Sequence, residues 1–363
     1  MRMTVITDRA RAGSLRGEWS ELVDRSPRPS VFLTPEWMLA WWDAYAGDLQ
    51  MYLLEVRHRD RLAGVFPLAY RAGTLPMIQG WSNDYTDRFG PVVDAEAREA
   101  VETAARHLAG EAPRWHRLDL RPLSSADPAT GWLTDALSAV GVGVGTTEWW
   151  RSPIVDLPGD PGTLRAGLGG SFRSTLRRKA RRATAEGLDV EIRTDAAALD
   201  AALAVSAESW AHREGTGIGS TPANERFYRS LASAAEARGW LRIALLRGRD
   251  GEAVAYELNL VRGGDAVNLK LGYRESAADL SPGLVLRDRV MDALIAENAA
   301  TFDLLGTAEP YKLHWAGRTV PHMRLRGFPP TAAGRLAHGY RHRFRPAAGR
   351  ALRWVRRGRR DAG

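Results

Sequence analysis

Three short segments in the last third of the chain bring together residue types that suit a phosphate and an acyl group. In Leu280-Ser281-Pro282-Gly283-Leu284, a Ser, a Pro and a Gly precede an apolar periodic run, the pattern of an N-cap and a first helical turn. Such a helix start exposes unpaired N–H groups and the positive end of the dipole, and Gly283 lets a pyrophosphate approach the backbone. Ser281, Gly283 and Leu284 are therefore donor-binding candidates, with ordinary capping as the competing account. A predicted strand, Thr301–Gly306, follows, and after Pro310 stands Tyr311-Lys312. A lysine there can neutralise a phosphate or a developing oxyanion, and the tyrosine can bond a leaving group. Lys179, Lys270 and Lys312 are the only lysines among 51 basic residues, so each retained Lys points to work that Arg cannot do.

Further candidates lie upstream. Ser171–Arg182 carries Arg173, Arg177, Arg178, Lys179, Arg181 and Arg182 without an acid; helical spacing places Arg173 and Arg177 on one face. Such a run is either a solvated helix or a surface that meets a phosphate-bearing donor. Asp84-Tyr85-Thr86-Asp87-Arg88 is a polar cluster after Gly80-Trp81, in which Asp84, Tyr85 and Asp87 could hold an amine or a sugar; turn chemistry explains the same acids. Asp303 joins them as a substrate-side acid. His314 and Trp315 follow Lys312, where a lone His is as often packing as general base.

The elements that must position these residues are legible in outline. Thr34-Pro35 and Thr221-Pro222 each cap a helix-like run, and each run is followed by two predicted strands joined by an Arg-x-Arg-Asp turn, at 57–60 and at 247–250. The same signals in the same order suggest a tandem duplication. In the second half Gly263-Gly264 marks a two-residue hairpin loop. Pairing Arg262 with Asp265 sets Asn259 opposite Asn268 and Glu257 opposite Lys270, a polar face. Val254, Tyr256, Leu258 and Leu260 alternate to the other face, with Val267, Leu269 and Leu271. That polar face is either solvated or the lining of an acceptor cleft, where Glu257 would accept an ammonium proton. Strand, helix, strand from the hairpin to Asp303 is an α/β signature, and His322–Gly327 is the last predicted strand.

Bulk properties narrow the function classes. The 363 residues accommodate two domains. The pI owes its value to residues 331–363, with ten Arg, no Lys and one acid, a net of +9; the rest of the chain sits at −1, so a polyanion-binding body does not follow. Cysteine is absent, which removes disulfides and a thiol nucleophile, and the eight His show no metal-ligand spacing, so no metal is expected. Neither a secretory signal nor an apolar run of membrane length is present, and a cytoplasmic location is the expectation. Leu336, Tyr340 and Phe344 at helical spacing amid Arg make the tail a candidate for an anionic membrane surface, at the inner face, or for nucleic acid.

Taken in order, Ser171-Phe172-Arg173, Ser209-Trp210 with Gly215-Thr216-Gly217, Ser281-Pro282-Gly283-Leu284, Phe302-Asp303, Tyr311-Lys312 with Trp315, and Asn83-Asp84-Tyr85-Thr86-Asp87 carry a family likeness. Over about Trp19 to Phe328 the chain resembles the tandem GNAT-like acyltransferases associated with cellulose and exopolysaccharide biosynthesis (CelD-like). More distantly it is similar to the Fem-type peptidoglycan aminoacyltransferases. The resemblance implies an α/β fold of two tandem GNAT-like (acyl-CoA N-acyltransferase) domains, mixed sheets flanked by helices. The expected division is 1–151, a Pro/Gly-rich connection 152–170, a domain 171–330 holding the active site, and the tail 331–363. It further implies transfer of an acyl group, acetyl foremost, from acetyl-CoA or another acyl-CoA to a primary amine of a small molecule or sugar. Lys312, Tyr311 and Glu257 would be catalytic, and Ser281, Gly283, Leu284, Arg173 and Arg177 would hold the donor. In the Fem-type relatives an aromatic-Lys pair like Tyr311-Lys312 supports transfer from aminoacyl-tRNA, the alternative donor. A non-catalytic GNAT-fold protein at a membrane surface is a third reading. One departure stands out: the usual GNAT donor loop, Arg or Gln, two residues, Gly, one residue, then Gly or Ala, is absent before Gly283.

Overall fold

The computed structural model describes residues 1–84 and 86–339. Tyr85, expected at the substrate, and the tail from Tyr340 onward lie outside them. Among the described residues, thirteen strands form one sheet: β1 (Arg2–Ile6), β2 (Gln50–His58), β3 (Arg61–Arg71), β4 (Met77–Gly80), β5 (Val92–Val93), β6 (Arg117–Ser124), β7 (Gly143–Asp156), β8 (Asp189–Arg193), β9 (Leu241–Arg247), β10 (Ala253–Arg262), β11 (Asp265–Tyr273), β12 (Thr301–Asp303) and β13 (Arg318–Phe328). Their spatial order is β1-β2-β3-β4-β6-β13-β7-β12-β11-β10-β9-β8, with β5 paired to β3.

Two α/β halves meet in this sheet, and they exchange strands to do so. β13, last in sequence, lies between β6 and β7 of the first half. β7 in turn pairs with β12 of the second half through Ile154–Asp156. The stretch 152–170, expected as a connection, thus supplies the last five residues of β7 and then the helix Pro161–Gly167. Burial of Ile154 and Val155 on β7 and of Val320 and Leu325 on β13 favours pairing over a free linker.

The duplicated signals became duplicated structure. Thr34 caps the helix Pro35–Tyr45 by accepting from Trp37 N–H, and Thr221 caps Pro222–Ala237 by accepting from Asn224 N–H. These two helices pack on one another: Trp37 and Tyr45 lie 5.1 and 5.3 Å from Phe227, and Tyr45 Oη donates to Asn224 Oδ1 at 2.9 Å. In each half one parallel strand pair holds for only three residues, Met77–Gln79 with Arg117–Asp119 and Asp265–Val267 with Thr301–Asp303. Beyond those residues the partners diverge and leave a wedge.

In the second half the sheet separates two cores. Leu245, Tyr256, Leu258, Leu260 and Val267 face one. Ala244, Leu246, Ala255 and Ala266 face the other, beneath the helix Pro282–Ala296, whose Leu286, Val290, Met291, Leu294 and Ile295 are buried as their spacing predicts.

Candidate active site

The first wedge is filled. Phe89 forms a parallel bridge to Leu123 of β6, donates its N–H to Pro122 O at 2.9 Å, and lays its ring against Gly80 of β4 so closely that a Cβ there would be 2.5 Å from it. Trp81 is fully buried beside it, its indole N–H donating to Leu68 O at 2.6 Å.

The segment that plugs the first wedge sends two side chains into the second. Arg88 forms a buried ion pair with Asp303, the last residue of β12. Asp87 accepts the backbone N–H of Gly306 just beyond it. The expected strand Thr301–Gly306 therefore stops at Asp303. Leu305 and Gly306 take left-handed backbones, φ 52° and 60°, which turn the chain away from β11. Asp303 holds that turn by accepting Leu305 N–H at 2.8 Å.

Lys312 belongs to the same turn. It sits on the short helix Pro310–Leu313, and its side chain, 12% exposed, points back inward. Nζ donates to Leu305 O at 2.9 Å, with Thr307 O at 3.5 Å and Glu309 Oε2 at 3.4 Å completing a looser shell. Burial lowers its pKa, which the carboxylates of Glu309 and Asp87 partly restore. Tyr311 lies outside on the rim, 56% exposed.

Glu257 is not the acceptor-side base expected from the sequence. It is fully buried, ion-paired to Arg287 of the helix Pro282–Ala296, which also donates to Asn268 Oδ1 at 2.8 Å; Asn268 donates to Asn259 Oδ1 at 2.9 Å. Burial pushes the Glu257 carboxyl up, against the pull of Arg287. Its task is to satisfy a buried guanidinium, and breaking such a pair costs about 3–5 kcal/mol. Nor does Lys270 face it. The expected register holds from Arg262/Asp265 to Asn259/Asn268, and then a β-bulge at Leu258/Asn259 sets Lys270 opposite Leu258 and Leu271 opposite Glu257. One extra residue on β11 sends Lys270 to the opposite face, and Leu271 to the helix face where Gly283 packs on it. On its new face Lys270 is within electrostatic reach of Asp87 and Lys312. Two of the chain's lysines thus converge on one carboxylate contributed by the other half.

The remaining candidates sit apart from this cluster or at its edge. Ser281 is left-handed (φ 55°) and makes no side-chain cap; its carbonyl instead accepts from Leu284 and Val285 N–H. Arg173 and Arg177 lie on the helix Gly170–Ala185, Arg173 donating to Ala166 O at 3.1 Å. Further along that helix, Lys179 and Arg182 reach Asp279 O, two residues before Ser281, at 3.2 and 3.4 Å. Phe172 at its start stacks on His314 at 4.8 Å and meets Trp315 edge-on, so His314 packs here. Asp84 is exposed and paired with Arg121 at 2.7 Å. Among the described residues there is no group of three His, Asp or Glu able to hold a metal, and no helix is long and apolar enough to cross a membrane.

Comparison with known proteins bears on the same half of the chain. Residues 170–313 match the family model of an acetyltransferase (GNAT) domain. The matched span runs from the basic helix to the turn that holds Lys312, and so contains the second wedge whole. Over the full chain the fold is similar to that of FemX, with a TM-score of 0.63 at 14% identity, covering 93% of this chain and 100% of that one. It is also similar to the C-terminal domain of a putative lysylphosphatidylglycerol synthetase from Agrobacterium fabrum, TM-score 0.56 at 15% identity, over 91% and 95%. A conserved protein of unknown function from Bacteroides thetaiotaomicron VPI-5482 gives 0.56 at 12%, over 90% and 100%. At such identities the likeness is one of fold. No curated protein sequence matches the chain. The GNAT domain therefore occupies the second half, and the first half repeats its architecture with the wedge closed.

Proposed function

We propose that the second half transfers an acyl group from an acyl-CoA-like thioester to the primary amine of a small molecule or sugar. The observation that carries this reading is the inward Lys312 ammonium within the span matched as a GNAT domain, beside Asp87. Bound by one short and two long contacts, Lys312 can exchange the long ones for a carbonyl oxygen gaining negative charge. Asp87 offers the charge that attracts and orients an acceptor ammonium. Tyr311 at the rim is placed to meet a leaving group. The donor's phosphates would lie at the start of the helix Pro282–Ala296, where Lys179 and Arg182 reach across to Asp279 O.

The test is release of free thiol from acetyl-CoA in the presence of a panel of primary amines, with the acylated product identified by mass. Thiol release that depends on the amine and is abolished in Lys312→Ala supports the reading; equal rates in the two proteins sink it. A second donor class, aminoacyl-tRNA, is favoured by the full-length fold similarity to FemX. A gel shift with charged tRNA, against calorimetry with CoA, separates the two.

A further inference from the structure

We infer that Lys270 is the general base of this transfer, taking the proton from the acceptor's ammonium before the amine attacks. The inference rests on the acyl-transfer reading and adds the group that reading lacks, since Glu257 is consumed by Arg287.

A regular β10–β11 ladder would aim Lys270 at Glu257, beneath the helix Pro282–Ala296, and the two would neutralise one another. The extra residue on β11 instead delivers Lys270 to the face that looks at the first half. Bulges recur beside active sites, where the extra residue bends the strand and re-aims a side chain. Here the strand on either side keeps its pairing, Arg262/Asp265 through Asn259/Asn268 before and Leu258/Lys270 through Ala255/Tyr273 after.

On that face Lys270 stands among charges that it does not touch. Its ammonium has no hydrogen-bond or ion-pair partner within contact distance among the described residues, although it is largely withdrawn from water. Lys312, by contrast, is tethered to Leu305 O. The groups within electrostatic reach of Lys270 are Asp87 from the first half and Lys312 from the turn after β12. Asp87 is itself tied to Gly306 N–H and shared with Lys312 and Arg88, so one carboxylate serves three cations. Desolvation and the Lys312 charge both favour the neutral amine at residue 270, Asp87 opposing them. An untethered amine whose charged form burial disfavours, beside a tethered ammonium, divides the labour: one accepts a proton and the other stabilises the oxyanion.

The step balances as follows. The acceptor R–NH3+ gives one proton to Lys270 Nζ; its nitrogen forms a bond to the acyl carbon; the C–S bond breaks, and the second nitrogen proton passes to the departing thiolate. Lys270 then releases its proton to solvent. Thioester and ammonium become amide, thiol and H+.

Having only three lysines makes the test direct. The full-length protein is reductively methylated with 13C-formaldehyde, and the dimethyl-lysine signals, assigned with Lys→Arg variants, are followed with pH. Lys270 is expected to titrate below the ordinary lysine range, and lower still in Asp87→Asn, which removes the opposing charge. Titration of Lys270 within the ordinary lysine range overturns the inference. With acetyl-CoA and an accepted amine, Lys270→Arg, a permanent cation, is expected to lower kcat by about 10²-fold or more with the donor KM unchanged. Wild-type kcat in that variant also overturns it. A protein inert toward acyl-CoA and charged tRNA alike would defeat the transferase reading, while the titration would still decide the state of Lys270.

Discussion

The two wedges have the same origin and opposite contents. Both arise where a parallel pair of three residues lets go, β4 from β6 and β11 from β12. The first is closed by Phe89 and Trp81, apolar rings that replace a missing stretch of ladder with packing. The second holds charge, with Asp87, Lys270 and Lys312 sharing a space too poorly solvated for any of them to be comfortable. The same ten residues, 80–89, do both jobs. A duplicated fold has used one wedge as a plug and its plug as the supplier of an acid to the other wedge, a division in which stability and chemistry are held by neighbouring side chains.

That division is breakable in a stated order. Phe89→Ala should cost about 3–5 kcal/mol of unfolding free energy, read from the denaturant midpoint, since it removes a buried ring from a site that β4 and β6 cannot collapse to fill. Lys312→Ala should instead lower the acyl-transfer rate by about 10²–10³-fold with the midpoint nearly unmoved. If the effects were exchanged, with Phe89→Ala stable and Lys312→Ala unfolded, the contrast between plug and site would fail.

Smaller effects sharpen it. His322 on β13 is fully buried, and neither ring nitrogen has a partner among the described residues; burial, then Arg88 and Arg28, push its pKa down to about 3. A histidine that titrates near 6.5 in the unfolded chain and near 3 in the fold binds its proton preferentially when unfolded. The stability it permits is therefore intact above about pH 6.5 and drains away as the pH falls toward 3. His322→Gln should lose less stability than wild type between pH 7 and pH 4.5 in parallel denaturant melts. Smallest of all, Arg177→Ala should raise the donor KM a few-fold without changing kcat, an effect that shrinks in high salt; a change in kcat alone would place that arginine at the chemistry instead.

Much of this molecule can be seen in its sequence, and the gaps have specific causes. The Thr-Pro caps, the two hairpins and the helix after Pro282 are local features, fixed by residues within one turn of each other, and each stands where its signal lies. Scarcity of lysine singled out Lys312 in the sequence, and its side chain turns inward in the fold. What could not be read was long-range or came from a single inserted residue. The bulge at Leu258/Asn259 has no Gly or Pro to announce it, so the alternation rule put Lys270 on the wrong face. Glu257 looked free because its partner, Arg287, is 30 residues away on a helix whose apolar stripe hid the charge. Asp87 and Asp84 are indistinguishable in sequence, and only the pairing of Arg88 with Asp303 turns one inward and leaves the other in water.

The position of β13 between β6 and β7 governs how the protein comes into being. As the chain leaves the ribosome, everything up to Gly317 can be present while both neighbours of that strand still display bare N–H and C=O groups, the sort of rim on which proteins stick to one another. The first half stays unfinished until the second has been made, and a nascent chain interrupted before Arg318 would be prone to aggregate. One late ribbon fastens both halves, so an assembled charge cluster is expected only in molecules translated through Phe328.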